Sequence, residues 1–151
     1  MKRGFEKLSA TVLGIGFLPL APGTWASLAA MCAWFFISQQ IDFSFSLQLV
    51  AVLVSVIIGI WSSVRLENEW GKDPSKIVID EWAGMWITLL FLPSDSWILA
   101  LAFIVFRILD IWKPSIIRKA EKIKGGWGVM MDDIVAGLIG NVLIRIVLWI
   151  I

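Results

Sequence analysis

Apolar positions in this chain come in long blocks, separated by short polar stretches. The blocks run from about Ala26 to Ile41, Leu47 to Val64, Ile77 to Leu92, Trp97 to Trp112 and Asp132 to Ile151. None alternates with the two-residue period of a half-buried strand, and each is apolar around most of a helical circumference. A helix needs roughly 20 residues to cross a bilayer, with about 17 as the lower limit. The first, third and fourth blocks are at or below that limit, so they are expected to extend into their flanking loops or to sit where the bilayer thins. The pattern predicts an all-α fold: a polytopic membrane helical bundle of about five apolar helices. Its 151 residues form one domain, 1–151.

The segment before the first block is mixed. MKRGFEKLSATVLGIGFLPLAPGTWA has the basic start and apolar middle of a signal peptide, but Glu6, two glycines and two prolines interrupt it. An N-terminal interfacial segment is the expectation. Gly14-Ile15-Gly16 is half of a dinucleotide fingerprint without its strand or third glycine. Pro22-Gly23 predicts a turn, with Thr24 as the cap of the first long helix and a candidate anion contact there.

Charge then orients the blocks. The 42–46 and 93–96 loops hold no Lys or Arg, whereas the N-terminus and the 65–76 and 113–124 loops hold nearly all of them. These sets alternate as five spans require, which puts the N-terminus in the cytoplasm and the C-terminus outside. Trp25, Trp70, Trp112 and Trp127 fall at the cytoplasmic ends, and Trp97 and Trp149 at the other, as two aromatic belts would.

Composition narrows the chemistry. The chain is 59% hydrophobic with a formal net charge of +1, which excludes nucleic acid as an expected partner. It has no His, so histidine bases and His-rich zinc sites are excluded. The single Cys, Cys32, lies in an apolar run and is expected to be a buried, inert thiol.

The acids carry the signal. Asp80 and Glu81 open the third block, Asp110 closes the fourth, and Asp132 and Asp133 open the fifth, so the topology places five carboxylates at one depth. Ionised together they repel one another, and an intramembrane acid is expensive unless it faces protein, water or a cation. With oxygen ligands only, Mg²⁺ is the expected ion, held by Asp80, Glu81, Asp132 and Asp133. Helical neighbours point about 100° apart, so Asp80 and Glu81 are not expected to share a direction, whereas Asp80 and Gly84 share a face. Gly84 would let a backbone or head group approach. Arg107, Lys113, Lys124 and the glycine turn containing Gly126 are candidates to hold phosphate oxygens. The plainer alternative pairs the acids with Arg107, Lys113 and Lys76, but leaves acids in excess. On the fifth helix Asp133, Gly137, Asn141 and Arg145 recur every four residues, a stripe suited to close packing.

Three blocks resemble the phosphatidylglycerophosphatase A family: GFLPLAPGTWAS at 16–27, DPSKIVIDEWAGMWIT at 73–88 and FRILDIWKPSIIRKAEKIKGGWGVMMDDIVAG at 106–137. Family members often have Gly where this chain has Ala26, and a second Pro where it has Ser115 or Ile116. Neither departure touches an acid. The resemblance implies a Mg²⁺-dependent phosphatase of the bacterial inner membrane that removes the terminal phosphate of phosphatidylglycerophosphate at the cytoplasmic face. Asp80, Glu81, Asp110, Asp132 and Asp133 are then the expected catalytic residues. Thr24, Arg107, Lys113, Lys124 and Gly126 are the expected phosphate contacts. Two rival classes remain: a membrane transferase using a nucleotide-linked lipid, and a small cation carrier, whose acids should be spread across the bilayer rather than gathered at one end.

Overall fold

A computed structural model describes residues 4–71, 74–120 and 126–151, and every regular element among them is helical. In chain order these are α1 (Gly4–Ala10), a 3₁₀ turn (Ile15–Phe17), α2 (Pro22–Gln40), α3 (Phe45–Trp70), α4 (Ile79–Leu89), α5 (Ser96–Trp112), α6 (Ser115–Ala120) and α7 (Gly126–Ile150). The five apolar blocks became α2, α3, α4, α5 and α7, but their ends moved for local reasons. Helix α2 begins at Pro22, in the first-turn position where a missing N–H costs nothing, with Ala21 as the preceding cap. Thr24 is therefore inside the helix and does not cap it. Helix α3 continues through Arg65–Trp70, six residues expected in a loop, because Leu66 buries against the bundle before Gly71 (φ 84°) ends the helix. Helix α7 starts six residues early, so Asp132 and Asp133 lie about two turns into it.

Helix α4 is the centre. It packs against α2, α3, α5 and α7, and nine of its 11 residues are buried, so it has almost no surface left for lipid. At 11 residues it is roughly 16 Å long, too short to cross a ~30 Å core. Its third-span reading is corrected accordingly. Two described helices are long and apolar enough to cross a membrane, Phe45–Trp70 and Trp127–Ile150, rather than five.

The bundle is inverted relative to a water-soluble protein. Leu49, Leu53 and Ile57 of α3, Ile104 and Ile108 of α5, and Val142 and Ile146 of α7 face outward, while Asp80, Asp132, Asp133 and Thr88 are buried. An apolar exterior this continuous marks a membrane contact. Cys32 is exposed on this exterior, which corrects the expectation of a buried thiol.

The two ends differ. At one end Arg145 donates to the carbonyls of Leu90 and Phe91 at 3.1 and 3.2 Å, and Asn141 donates to those of Thr88 and Leu90 at 2.9 and 2.8 Å. These bonds satisfy carbonyls left open where α4 stops. At the other end lie the acids and most of the described basic groups. There Lys7 pairs with Glu69, and Lys76 stands over the rings of Trp70 and Phe17. Val78 donates to Ala10 at 2.9 Å, and Gly16 lies so close to the Lys76 carbonyl that a side chain would not fit. Helix α1 and the 3₁₀ turn are thus tied to the segment that enters α4.

Candidate active site

Glycines set the distance between the two helices that bring the acids together. A Cβ on Gly137 of α7 would lie 2.5 Å from the Gly84 carbonyl oxygen of α4, and one on Gly84 would lie 2.8 Å from the Asp133 carbonyl oxygen. Only backbone fits between these helices, as the small-residue stripe predicted. The approach expected at Gly84 is that of a backbone.

This contact delivers Asp133 to Asp80 and Glu81. One carboxylate oxygen from each of the three lies within 4.8 Å of the others. Asp80 and Asp133 are buried and Glu81 is partly buried. Asp80 Oδ1 accepts the Glu81 backbone N–H at 3.0 Å, which holds its carboxylate at the helix start. Glu81 reaches the same point because its longer side chain comes back around the helix. The expectation that these neighbours could not share a direction is corrected: the Cα–Cβ vectors diverge and the carboxylates converge.

The remaining two acids are paired. Arg107 Nη1 donates to Asp110 Oδ2 at 2.5 Å and to Ser27 Oγ at 3.4 Å, and Ser27 donates in turn to the Gly23 carbonyl at 2.8 Å. Lys113 Nζ donates to Asp132 Oδ2 at 2.7 Å. Lys113 takes a left-handed conformation (φ 47°), uncommon for a residue with a side chain, as it turns the chain from α5 toward α6. Asp132 and Asp133 point to different partners because they are adjacent on a helix. Asp110 still lies close enough to Asp133 and Glu81 to act on both electrostatically, and Arg107 acts on Glu81.

The ion pairs of the plainer alternative are present for Asp110 with Arg107 and Asp132 with Lys113, and none is found among the described residues for Asp80, Glu81 and Asp133. Lys76 stacks on aromatic rings instead. Glu81 Oε2, Asp133 Oδ1 and the second oxygen of Asp132, Oδ1, are buried with no hydrogen-bond donor among the described residues. Such groups are costly unless a cation meets them. Three hard oxygen donors from two rigid helices, with orphaned oxygens among them, fit a small divalent ion such as Mg²⁺.

Helix α2 closes one side. Gly23 sits so tightly against the Glu81 carboxylate that a side chain there would overlap it. Thr24, half-buried, follows in the first turn, and no hydrogen bond among the described residues joins its hydroxyl to a carboxylate. Lys124 lies outside the described residues, and Gly126 is the first residue of α7. Sequence reasoning missed Gly23 and Ser27, although both belong to the block that carried the first family resemblance.

The phosphatidylglycerophosphatase A family description matches residues 8–148. A Bacteroides thetaiotaomicron protein provisionally named as a phosphatidylinositol-3-phosphatase is 44% identical, over 95% of this chain and 94% of its own length. Phosphatidylglycerophosphatase A of Escherichia coli is 41% identical over 87% of this chain and 77% of its own, and that of Haemophilus influenzae 36% over 87% and 81%. No solved structure matches. The match runs through all three blocks and all five acids, and the chain belongs to the phosphatidylglycerophosphatase A family.

Proposed function

We propose that this protein hydrolyses the terminal phosphomonoester of phosphatidylglycerophosphate, giving phosphatidylglycerol and phosphate, with Mg²⁺ held by Asp80, Glu81 and Asp133. The observation that carries this reading is the set of three converging carboxylates with orphaned oxygens, in a chain of this family. Bound there, Mg²⁺ would offset charge on the phosphoryl oxygens. Arg107 and Lys113 add positive charge beside it. Asp110, its orientation fixed by Arg107, takes a proton from the attacking water. The water oxygen bonds to phosphorus, the phosphorus–oxygen bond to glycerol breaks, and the glycerol oxygen takes up the proton that Asp110 removed from water. Asp132, held by Lys113 through Oδ2, keeps Oδ1 without a donor and is the fourth carboxylate available to the ion.

The head group enters at the acid end with its tails in the bilayer. The basic residues gathered at that end support a position on the cytoplasmic side of the inner membrane. The clustering of acids at one end disfavours a cation carrier. The Bacteroides relative motivates one comparison, since phosphatidylinositol 3-phosphate is also a lipid phosphomonoester.

The experiment is phosphate release from both lipids in detergent micelles, with Mg²⁺ or chelator, for wild type, Asp80→Asn and Asp133→Asn. The expected result is Mg²⁺-dependent release from phosphatidylglycerophosphate by wild type, reduced at least about 10²-fold in both variants. Full activity in both variants would remove the triad from the chemistry. Release from phosphatidylinositol 3-phosphate alone would overturn the substrate, and none from either lipid would reopen the transferase class.

A further inference from the structure

We infer that an apolar cleft between α2 and α5 is the subsite for one acyl chain of the lipid substrate. The inference rests on the lipid-phosphatase reading above and extends it from the head group to the tail.

The same two helices that flank the acids at one end form this cleft further along. On α2, Ser27 touches Arg107, and Met31 and Phe35 follow on the same face at four-residue steps. On α5, Ala100 and Ser96 lie seven and eleven residues before Arg107, again on one face. The cleft holds about 230 Å³, with Leu99 as its buried floor and Met31, Cys32, Phe35, Ser96 and Ala100 around it. Its lining is almost wholly apolar, and the small side chains of Cys32, Ser96 and Ala100 are what leave the space.

Depth identifies the occupant. Met31 is eight residues from Gly23, which abuts Glu81, so the cleft begins roughly 12 Å along α2 from the acids. One leaflet of hydrocarbon is about 15 Å thick. In this lipid a glycerol, a phosphodiester and a second glycerol separate the terminal phosphate from the acyl ester, so a molecule with that phosphate among the acids and its body along the α2–α5 seam reaches the cleft with the first methylenes of one chain. Water has no polar partners there, and a head group would lose all of its own.

Two measurements test this. Cys32→Trp and Ala100→Phe fill the cleft from opposite walls, and neither residue belongs to the candidate site. Each is expected to raise KM about tenfold for dioleoyl phosphatidylglycerophosphate, the loss for excluding about two methylenes, and to leave KM for the deacylated head group, which has no chain, within about twofold. Equal effects on both substrates, or none on either, would overturn the subsite. The second measurement needs no turnover. A phosphatidylglycerophosphate with a diazirine on the first methylenes of one chain is crosslinked to wild type and the labelled peptides are mapped. Labelling at 31–36 and 96–100 should be displaced by excess dioleoyl phosphatidylglycerophosphate and not by phosphatidylcholine. Equal displacement by both would make the cleft an ordinary lipid contact and refute the proposal. Selective displacement without any phosphate release would leave the subsite standing and refute the phosphatase reading instead.

Discussion

Replacing Gly137 with Ala should damage the reaction far more than the fold. The new Cβ would sit 2.5 Å from the Gly84 carbonyl oxygen and 3.0 Å from Ile87 Cβ. Ordinary contact begins near 3.4 Å, so α4 and α7 must part by about 0.9 Å at this point. A backbone carbonyl cannot rotate aside as a side chain would. Overpacking of this kind costs about 1–3 kcal/mol, and Ala favours the helix over Gly by about 1 kcal/mol. The net loss of stability is then only about 0–2 kcal/mol. Yet the same displacement pulls Asp133 from Asp80 and Glu81, and a ~1 Å misplacement can cost about 10²-fold in rate. Gly140→Ala is the control. It lies on the same helix with the same propensity gain, but its nearest neighbour is Thr88 Cγ2 at 3.2 Å, a side-chain atom that can yield by tenths of an ångström. Thermal unfolding in detergent and phosphate release at saturating Mg²⁺ would be measured on both. Gly137→Ala should fall about 10²-fold in rate while Gly140→Ala stays within about threefold. Equal rates in the two variants would show that the glycine contact does not set the carboxylate geometry.

Other substitutions separate the site from its supports. Gly23→Ala pushes a methyl group into the Glu81 carboxylate, so the Mg²⁺ concentration for half-maximal activity should rise about tenfold with little change in unfolding temperature; an unchanged Mg²⁺ titration would detach α2 from the site. Lys113→Met leaves Asp132 without its 2.7 Å partner and should cost about 2 kcal/mol, between the values for exposed and buried pairs, with Asp132→Asn restoring most of it in the double variant. Additive losses in that cycle would mean the pair is screened. Arg145→Ala removes the donor to the Leu90 and Phe91 carbonyls at the far end of α4, and should lower stability by about 1 kcal/mol while kcat stays unchanged. A large loss of kcat there would contradict the placement of the chemistry at the acid end.

What the sequence made legible follows from what each signal depends on. The existence of α2, α3, α4, α5 and α7 could be read because a long apolar block has few alternatives to a helix. Their ends could not, because ends depend on particular partners. Leu66 prolongs α3 by finding a neighbour, and α4 stops early because Asn141 and Arg145, from α7, accept the job of satisfying its last carbonyls. The same limit applies to the acids. Their shared depth was readable from topology, but not which were paired, since Asp132 and Asp133 differ by one residue and meet opposite partners. The rule that adjacent residues diverge held for that pair and failed for Asp80 and Glu81, where side-chain length outweighed backbone direction. Cys32 was misplaced for a related reason. Apolar surroundings mean burial in water, but in this bundle the apolar side is the outside.

That inversion explains why a small stripe carries so much. With lipid outside, no hydrophobic effect draws the helices together, and close backbone contact must do it. Gly84 and Gly137 supply that contact between α4 and α7. The helix register that lets them meet also fixes where Asp133 falls, four residues before Gly137 and on the same face. Asp80 stands four residues before Gly84 in the same way. The two aspartates are therefore each one turn from the glycine contact that joins α4 to α7. A carboxylate cluster with orphaned oxygens would open by repulsion if its helices could drift. Glycine packing one turn away resists that drift, so the residues that assemble the bundle and two of the residues proposed to hold the ion belong to one repeat.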